Sequence, residues 1–143
     1  MRSAYEEMYA AGVEAVFSGR EGNYERFAPQ DMEGNADPRG IRQFVVGTGG
    51  IGLTPLSEPA PNSEIRDAST HGVLELMLGD AGYDWRFHPV AGAVFTDQGS
   101  GTCHDRPPSE EAVVRESGGV PGGDPGGPGS ALRTIWSRLS FTI

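Results

Sequence analysis

Residues 73–88 read Val-Leu-Glu-Leu-Met-Leu-Gly-Asp-Ala-Gly-Tyr-Asp-Trp-Arg-Phe-His, and two alternations inside them decide the fold. Leu74, Leu76 and Leu78 fall on one face with Glu75 on the other, while Tyr83, Trp85 and Phe87 alternate against Asp84, Arg86 and His88. Successive side chains of a strand point to opposite faces, so each run reads as a half-buried strand. The four residues Gly79-Asp80-Ala81-Gly82 join them, and the whole reads as a β-hairpin.

Working outward, residues 41–46 form a second strand signal, closed by Gly47-Thr48-Gly49-Gly50-Ile51-Gly52. Residues 13–17 are compact and partly β-branched and end at Ser18-Gly19, which reads as a strand feeding a loop. Residues 93–96 add a further short strand. At the front, Ser3 with Glu6 three residues on is a capping-box signature, and Tyr5, Met8, Tyr9 and Val13 recur at helical spacing. A short helix is expected over 3–11, stopped by Gly12. Gly22, Pro29, Gly34, Pro38 and Gly40 mark a long loop, and Pro55, Pro59 and Pro61 keep the segment after residue 52 irregular. Residues 118–129 hold seven glycines and three prolines in twelve positions, a linker that buries almost nothing. Beyond it Leu132, Ile135, Trp136, Leu139 and Ile143 share a helical face, but Leu139, Phe141 and Ile143 also alternate, so helix and strand both remain open there.

Composition bounds the function classes. A chain of 143 residues fits one ordinary domain. Its 22 glycines and 11 prolines fill 33 positions, about twice the ~12% of average usage, which argues against a helical bundle. All eleven basic residues are Arg against 20 acids, and the net charge of −9 argues against sequence-independent nucleic-acid binding and against an anionic membrane surface. The acidity belongs to residues 1–105, with 16 acids and seven arginines, while 106–143 carries four of each. The single Cys103 excludes an internal disulfide. No run approaches the ~18 apolar residues of a membrane span and no signal-peptide layout opens the chain, so the default location is cytoplasmic.

The motifs with chemical content are few. Gly47-x-Gly49-x-x-Gly52 follows a strand like a dinucleotide fingerprint, but that motif needs a helix at its end to hold the pyrophosphate, and Pro55 interrupts the segment. A tight bend is the expected reading. His71, His88 and His104 lack partners at metal-site spacing, and the run Cys103-His104-Asp105 places adjacent side chains that rarely converge on one ion. The densest polar group, residues 19–27, holds Arg20, Asn23, Tyr24 and Arg26 at the carboxyl end of a strand, where the two arginines could clasp a phosphate-type anion. The alternative is a charged surface loop in which Glu21 and Glu25 pair with those arginines.

The runs Tyr9-Ala10-Ala11-Gly12-Val13-Glu14-Ala15-Val16-Phe17-Ser18-Gly19 and Asn23-Tyr24-Glu25-Arg26-Phe27-Ala28-Pro29-Gln30 resemble the C-terminal part of calcineurin-like metallophosphoesterases, on the purple acid phosphatase side. Gly40 to Gly50, Pro61-Asn62-Ser63-Glu64, His71-Gly72-Val73-Leu74, Tyr83-Asp84-Trp85-Arg86-Phe87 and Gly99 to His104 continue the resemblance in order, over about residues 4–104. It implies an α/β fold, α+β in this portion. The C-terminal piece of a β-sandwich flanked by helices would carry mostly antiparallel strands and a disordered tail. The division is 1–104 phosphoesterase-like, 105–129 linker and 130–143 a short amphipathic element.

The resemblance also implies phosphate-ester hydrolysis at a dinuclear iron, zinc or manganese centre. In that family a His-x-His pair of metal ligands follows the strand ending at Gly19, and here those positions are Arg20 and Gly22. A guanidinium has no lone pair to offer and glycine has no side chain. No Asp-x-His or Gly-Asn-His triplet occurs either, so no catalytic residue, metal ligand or cofactor is assigned. The expectation is an incomplete, degenerate metal-dependent phosphoesterase, inactive alone. The alternatives are an anion-binding or interaction module, or a truncated product without selected function. Losing the second sheet would leave the apolar faces of 13–17 and 41–46 under-covered and open to self-association.

Overall fold

The structure, a computed structural model, describes residues 3–104 and the backbone of 139–142. Helix α1 (Ala4–Ala10) opens the chain on the expected cap: Ser3 Oγ accepts the Glu6 amide at 3.3 Å and the Glu6 carboxylate accepts the Ser3 amide at 2.8 Å. No α1 residue is fully buried, and the helix is held by two phenols. Tyr5 Oη donates to the Gln30 carbonyl at 3.2 Å and Tyr9 Oη to Asp37 at 2.8 Å.

Eight strands follow: β1 (Ala15–Ser18), β2 (Tyr24–Phe27), β3 (Arg42–Val46), β4 (Ser63–Asp67), β5 (Gly72–Leu78), β6 (Gly82–Pro89), β7 (Gln98–Thr102) and β8 (Leu139–Thr142). Sheet 1 runs β1-β3-β2-β4, with β1 parallel to β3 and the other pairs antiparallel. Sheet 2 runs β7-β6-β5-β8 and is antiparallel throughout. The decisive hairpin is present, with Leu74 opposite Phe87 and Leu76 opposite Trp85, and the Gly79 amide closes its turn on the Gly82 carbonyl at 2.8 Å.

The inward faces of both sheets make one core. Phe44, Tyr24 and Val46 from sheet 1 meet Leu74, Trp85 and Phe87 from sheet 2. Phe44 packs on Trp85 at 5.4 Å between ring centroids, Tyr24 on Phe87 at 5.0 Å, and Phe17 stacks on Phe44 at 5.0 Å. The loss of a second sheet is therefore a wrong expectation for this chain. Sheet 2 is the facing layer and covers Phe44 and Val46, while Ile41 and Val45, which alternate to the other face of β3, are buried as well and β1 stays half-buried.

Three strands differ from the sequence reading. The charged segment expected to be a loop contains β2, an inner strand between β3 and β4, because its polar side chains find partners on neighbouring strands. Glu25 accepts the Ser63 hydroxyl at 2.6 Å and lies 3.7 Å from Arg66. β4 emerges from the proline-rich stretch, where irregular chain is the expectation. Residues 93–96 form no strand. The seventh strand is Gln-Gly-Ser-Gly-Thr at 98–102, and its glycines are there because the Trp85 and Tyr83 rings lie across them. A Cβ on Gly99 or Gly101 would collide with those rings. The last element, left open between helix and strand, is a strand over Leu139–Thr142 with Leu76 opposite Phe141 in register. The linker expectation for 105–129 and the helical alternative at Leu132, Ile135 and Trp136 lie outside the described residues. No described helix is long and apolar enough to cross a membrane.

Candidate functional site

Because β1 and β3 run parallel, both reach their carboxyl ends at the same rim, where Gly19 and Gly47 lie side by side. The loop 19–23 is pressed against the chain that leaves β3. Asn23 donates its amide to the Glu21 carbonyl at 2.8 Å, Gly47 donates to the Asn23 carbonyl at 2.9 Å, and Thr54 donates to the Gly22 carbonyl at 2.7 Å. A Cβ on Gly47 would collide with the Glu21 carbonyl oxygen. One on Gly22 would collide with the Gly52 carbonyl and stand 2.9 Å from Thr54 Oγ1. Close backbone approach explains both glycines. No helix follows Gly52, so the glycine run is the expected bend.

Of the four anion-binding candidates, the structure brings two together, around a different partner. Tyr24 is wholly buried and its Oη donates to Asp97 Oδ2 at 2.6 Å. Arg26 Nε donates to the same oxygen at 2.7 Å and Nη2 to Asp97 Oδ1 at 3.3 Å, while Nη1 pairs with Glu64. Trp85 Nε1 adds a third donor group to Asp97 at 3.1 Å, and the Arg26 guanidinium lies over the Trp85 ring, 5.2 Å from its centroid. Tyr24 and Arg26 thus point between the sheets. Arg20 is exposed at the rim, and Asn23 is buried with Oδ1 unpartnered among the described residues. The pairing of Glu21 and Glu25 with these arginines is not the arrangement either, since Arg26 takes Asp97 and Glu64.

Burial alone would push the Asp97 carboxyl up, but the Arg26 and Tyr24 hydrogen bonds, the Arg26 charge and the Trp85 donor outweigh it and hold it below the ordinary carboxylate value. Burial first, and then Asp97, raise the Tyr24 phenol far above its usual range, so it stays a neutral donor. Sequence reasoning missed Asp97. Its partners Tyr24, Arg26 and Trp85 are 73, 71 and 12 residues away, and no local pattern announces such a carboxylate.

The histidines are spoken for. His71 Nε2 lies 3.1 Å from the Ile51 carbonyl, His88 pairs with Glu75 at 2.7 Å on the outer face of sheet 2, and His104 sits between Glu14 at 2.9 Å and the Pro38 carbonyl at 2.9 Å. Partial burial and the nearby Glu14 raise the Cys103 thiol, the opposite of an activated thiolate. No group of three or more His, Cys, Asp or Glu among the described residues is arranged to hold a metal ion. A dinuclear centre at this rim does not fit the residues present: Arg20 and Gly22 offer no ligand, and peptide fills the space beside Gly22.

Comparison with known proteins points to the phosphoesterases all the same. The chain is 37% identical over 94 residues to purple acid phosphatase 22 of Arabidopsis thaliana, and 36% identical over 94 residues to purple acid phosphatase 21 of the same plant. Each alignment covers 62% of this chain and 21% of the relative. The chain therefore spans about a fifth of the length of the curated relatives it matches. No family model and no solved structure matches it.

Proposed function

We propose that this chain is a phosphoesterase-related two-sheet body that does not by itself hydrolyse phosphate esters. The similarity to purple acid phosphatases supports the ancestry. The observation that carries the loss of chemistry is the rim of β1 and β3. There the family's ligand positions are an exposed guanidinium and a glycine whose missing side chain is replaced by the Gly52 carbonyl and Thr54. Two-metal hydrolysis needs ligands that fix both ions so that one can generate hydroxide and the pair can clamp the phosphate. A surface arginine and a glycine supply neither.

The test is turnover of an aryl phosphate ester by the purified chain, stripped and then resupplied with iron, zinc or manganese. The expected rate is that of the buffer blank. The double variant Arg20→His, Gly22→His is expected to stay at the blank as well, because a side chain at 22 has no room. Metal-dependent turnover by the parent chain defeats the proposal, and turnover by the double variant alone shows that only the ligands, and not the packing, were lost. Phosphate titration with Arg20→Ala as the control separates an anion-binding rim from an inert one. With Tyr24 and Arg26 bound to Asp97, only Arg20 and Asn23 remain at the rim for such a site.

A further inference from the structure

Sheet 1 has two edge strands, and they are guarded differently. β4 carries Glu64, Arg66 and Asp67 and follows Pro59 and Pro61, charges and prolines of the kind that keep an edge from pairing with another chain. β1 reads Ala-Val-Phe-Ser and has neither. Of the two segments expected to be under-covered, 41–46 holds the inner strand β3, while 13–17 leads into an edge that pairs with β3 alone.

The ladder fixes which backbone groups of β1 face outward. Arg42 donates its amide to the Glu14 carbonyl at 2.9 Å, and with Ala15 opposite Arg42 and Phe17 opposite Phe44 the parallel pattern turns the groups of Val16 and Ser18 toward β3 as well. The N–H and C=O groups of Ala15 and Phe17 therefore point away from the sheet, and no hydrogen bond among the described residues reaches them. Phe17 stacks on Phe44 and Ala15 packs against the same core, so both side chains lie on the inward face and Val16 lies between them on the outer one. Val16 and Phe17 are each only half-buried. The edge thus offers free backbone groups, apolar side chains on both faces and no charge.

We propose that β1 pairs antiparallel with β1 of a second copy of this chain, about a two-fold axis at Val16, so that two four-stranded sheets become one. In that register Ala15 lies opposite Phe17 of the second copy, each such pair exchanges two hydrogen bonds, and every outward group of both residues is used. Any other register leaves an outward residue of β1 without its counterpart. The small side chain faces the large one on the inward side, and the two Val16 side chains meet on the outer side as a close, non-hydrogen-bonded pair. A peptide of other sequence would satisfy the same backbone groups, but the second copy also brings these matched side chains. A four-residue edge buries less than the ~1,000 Å² of a stable interface, so the dimer is weak, with a midpoint on the order of 10⁻⁴ to 10⁻³ M. Pairing uses up β1 in both copies, and assembly stops at two. The inference is independent of the phosphoesterase reading, since it uses no residue of the rim at Gly22.

The experiment is sedimentation equilibrium of the full chain at concentrations spanning that midpoint, with hydrogen exchange of the Ala15 and Phe17 amides followed on the same samples. The mean mass is expected to rise from one chain toward two, and exchange at both amides to slow in step. Val16→Lys sets two like charges on the axis and is expected to raise the dissociation constant at least about tenfold. Val94→Lys adds the same charge in the loop after β6, at a residue 94% exposed, and leaves it unchanged. Ala15→Pro removes one outward donor without touching the ladder to β3, and it too weakens the dimer. The parent chain's own readouts decide the matter should a variant fail to fold. A mass of one chain throughout overturns the proposal, as do growth past two chains, association with unchanged exchange at Ala15 and Phe17, or equal effects of the two lysine variants. Full protection of those amides at the lowest concentration would mean that another segment of the same chain occupies the edge, and it overturns the proposal as well.

Discussion

At the carboxyl ends of β1 and β3 the backbone of residues 19–23 fills the rim, closed on itself by one amide hydrogen bond from Asn23 to Glu21 and tied by two more to residues 47 and 54. At the amino ends of the same two strands the chain presents Glu14 and Arg42 to an open volume of about 660 Å³. Ligands of open α/β sheets usually sit at the first kind of end. Here that end is closed by peptide and carries little side-chain chemistry, while the other end keeps both space and functional groups. The closed rim and the open volume therefore lie at different ends of one sheet.

Between the two ends lies the Asp97 cluster, and breaking it is the most damaging test of the comparison. Asp97→Ala leaves the Arg26 guanidinium, 14% exposed in its side chain, facing the core with one carboxylate fewer. The expected loss is about 3–5 kcal/mol in urea unfolding. A loss below ~1 kcal/mol would mean the sheets are held by their aromatic contacts alone. The same carboxyl gives an acid limb. Its folded value is depressed, so its stabilisation is complete above the unfolded carboxylate value of ~3.9 and disappears as pH falls through the lower folded value. Unfolding of the parent chain monitored down to pH ~2 should show that limb, and Asp97→Asn should flatten it.

Next in size is the closed rim itself. Gly47→Ala drives a methyl group into the Glu21 carbonyl and is expected to cost about 2–3 kcal/mol, whereas Gly49→Ala, two residues on with open space around it, should stay within ~0.5 kcal/mol. Equal melting temperatures for the two variants would remove the packing account of the rim. The smallest effect belongs to the outer face of sheet 2. His88→Ala, which deletes an exposed pair with Glu75, should change stability by less than ~0.5 kcal/mol at neutral pH.

How much of the fold is legible in the sequence depends on the range of the forces. The α1 cap and the β5–β6 hairpin are set by residues three to seventeen apart, so spacing alone exposes them. β2 hides behind its charges, since Tyr-Glu-Arg-Phe looks like surface until Asp97, Glu64 and Arg66 are brought in from distant parts of the chain. β7 hides for the converse reason. Gln-Gly-Ser-Gly-Thr has little strand propensity of its own, and only the rings of Tyr83 and Trp85 on the neighbouring strand make glycine the fitting residue. At the candidate site, the missing ligands at 20 and 22 are legible. The closure beside Gly22 and the cavity at the other end are not, because both arise from chain segments that meet only in the fold.

The contact of His104 with Glu14 bears on how the chain could be rewired. The His104 amide and ring both reach a carboxylate 90 residues earlier, so the first strand's entrance and the last described residue of the body are neighbours. A circular permutant of 14–104, with those ends bridged by a short glycine linker and new ends opened at the exposed Pro59-Ala60, would keep every strand pairing of residues 15–102. Its order of synthesis would change, with β4 to β7 emerging from the ribosome before β1.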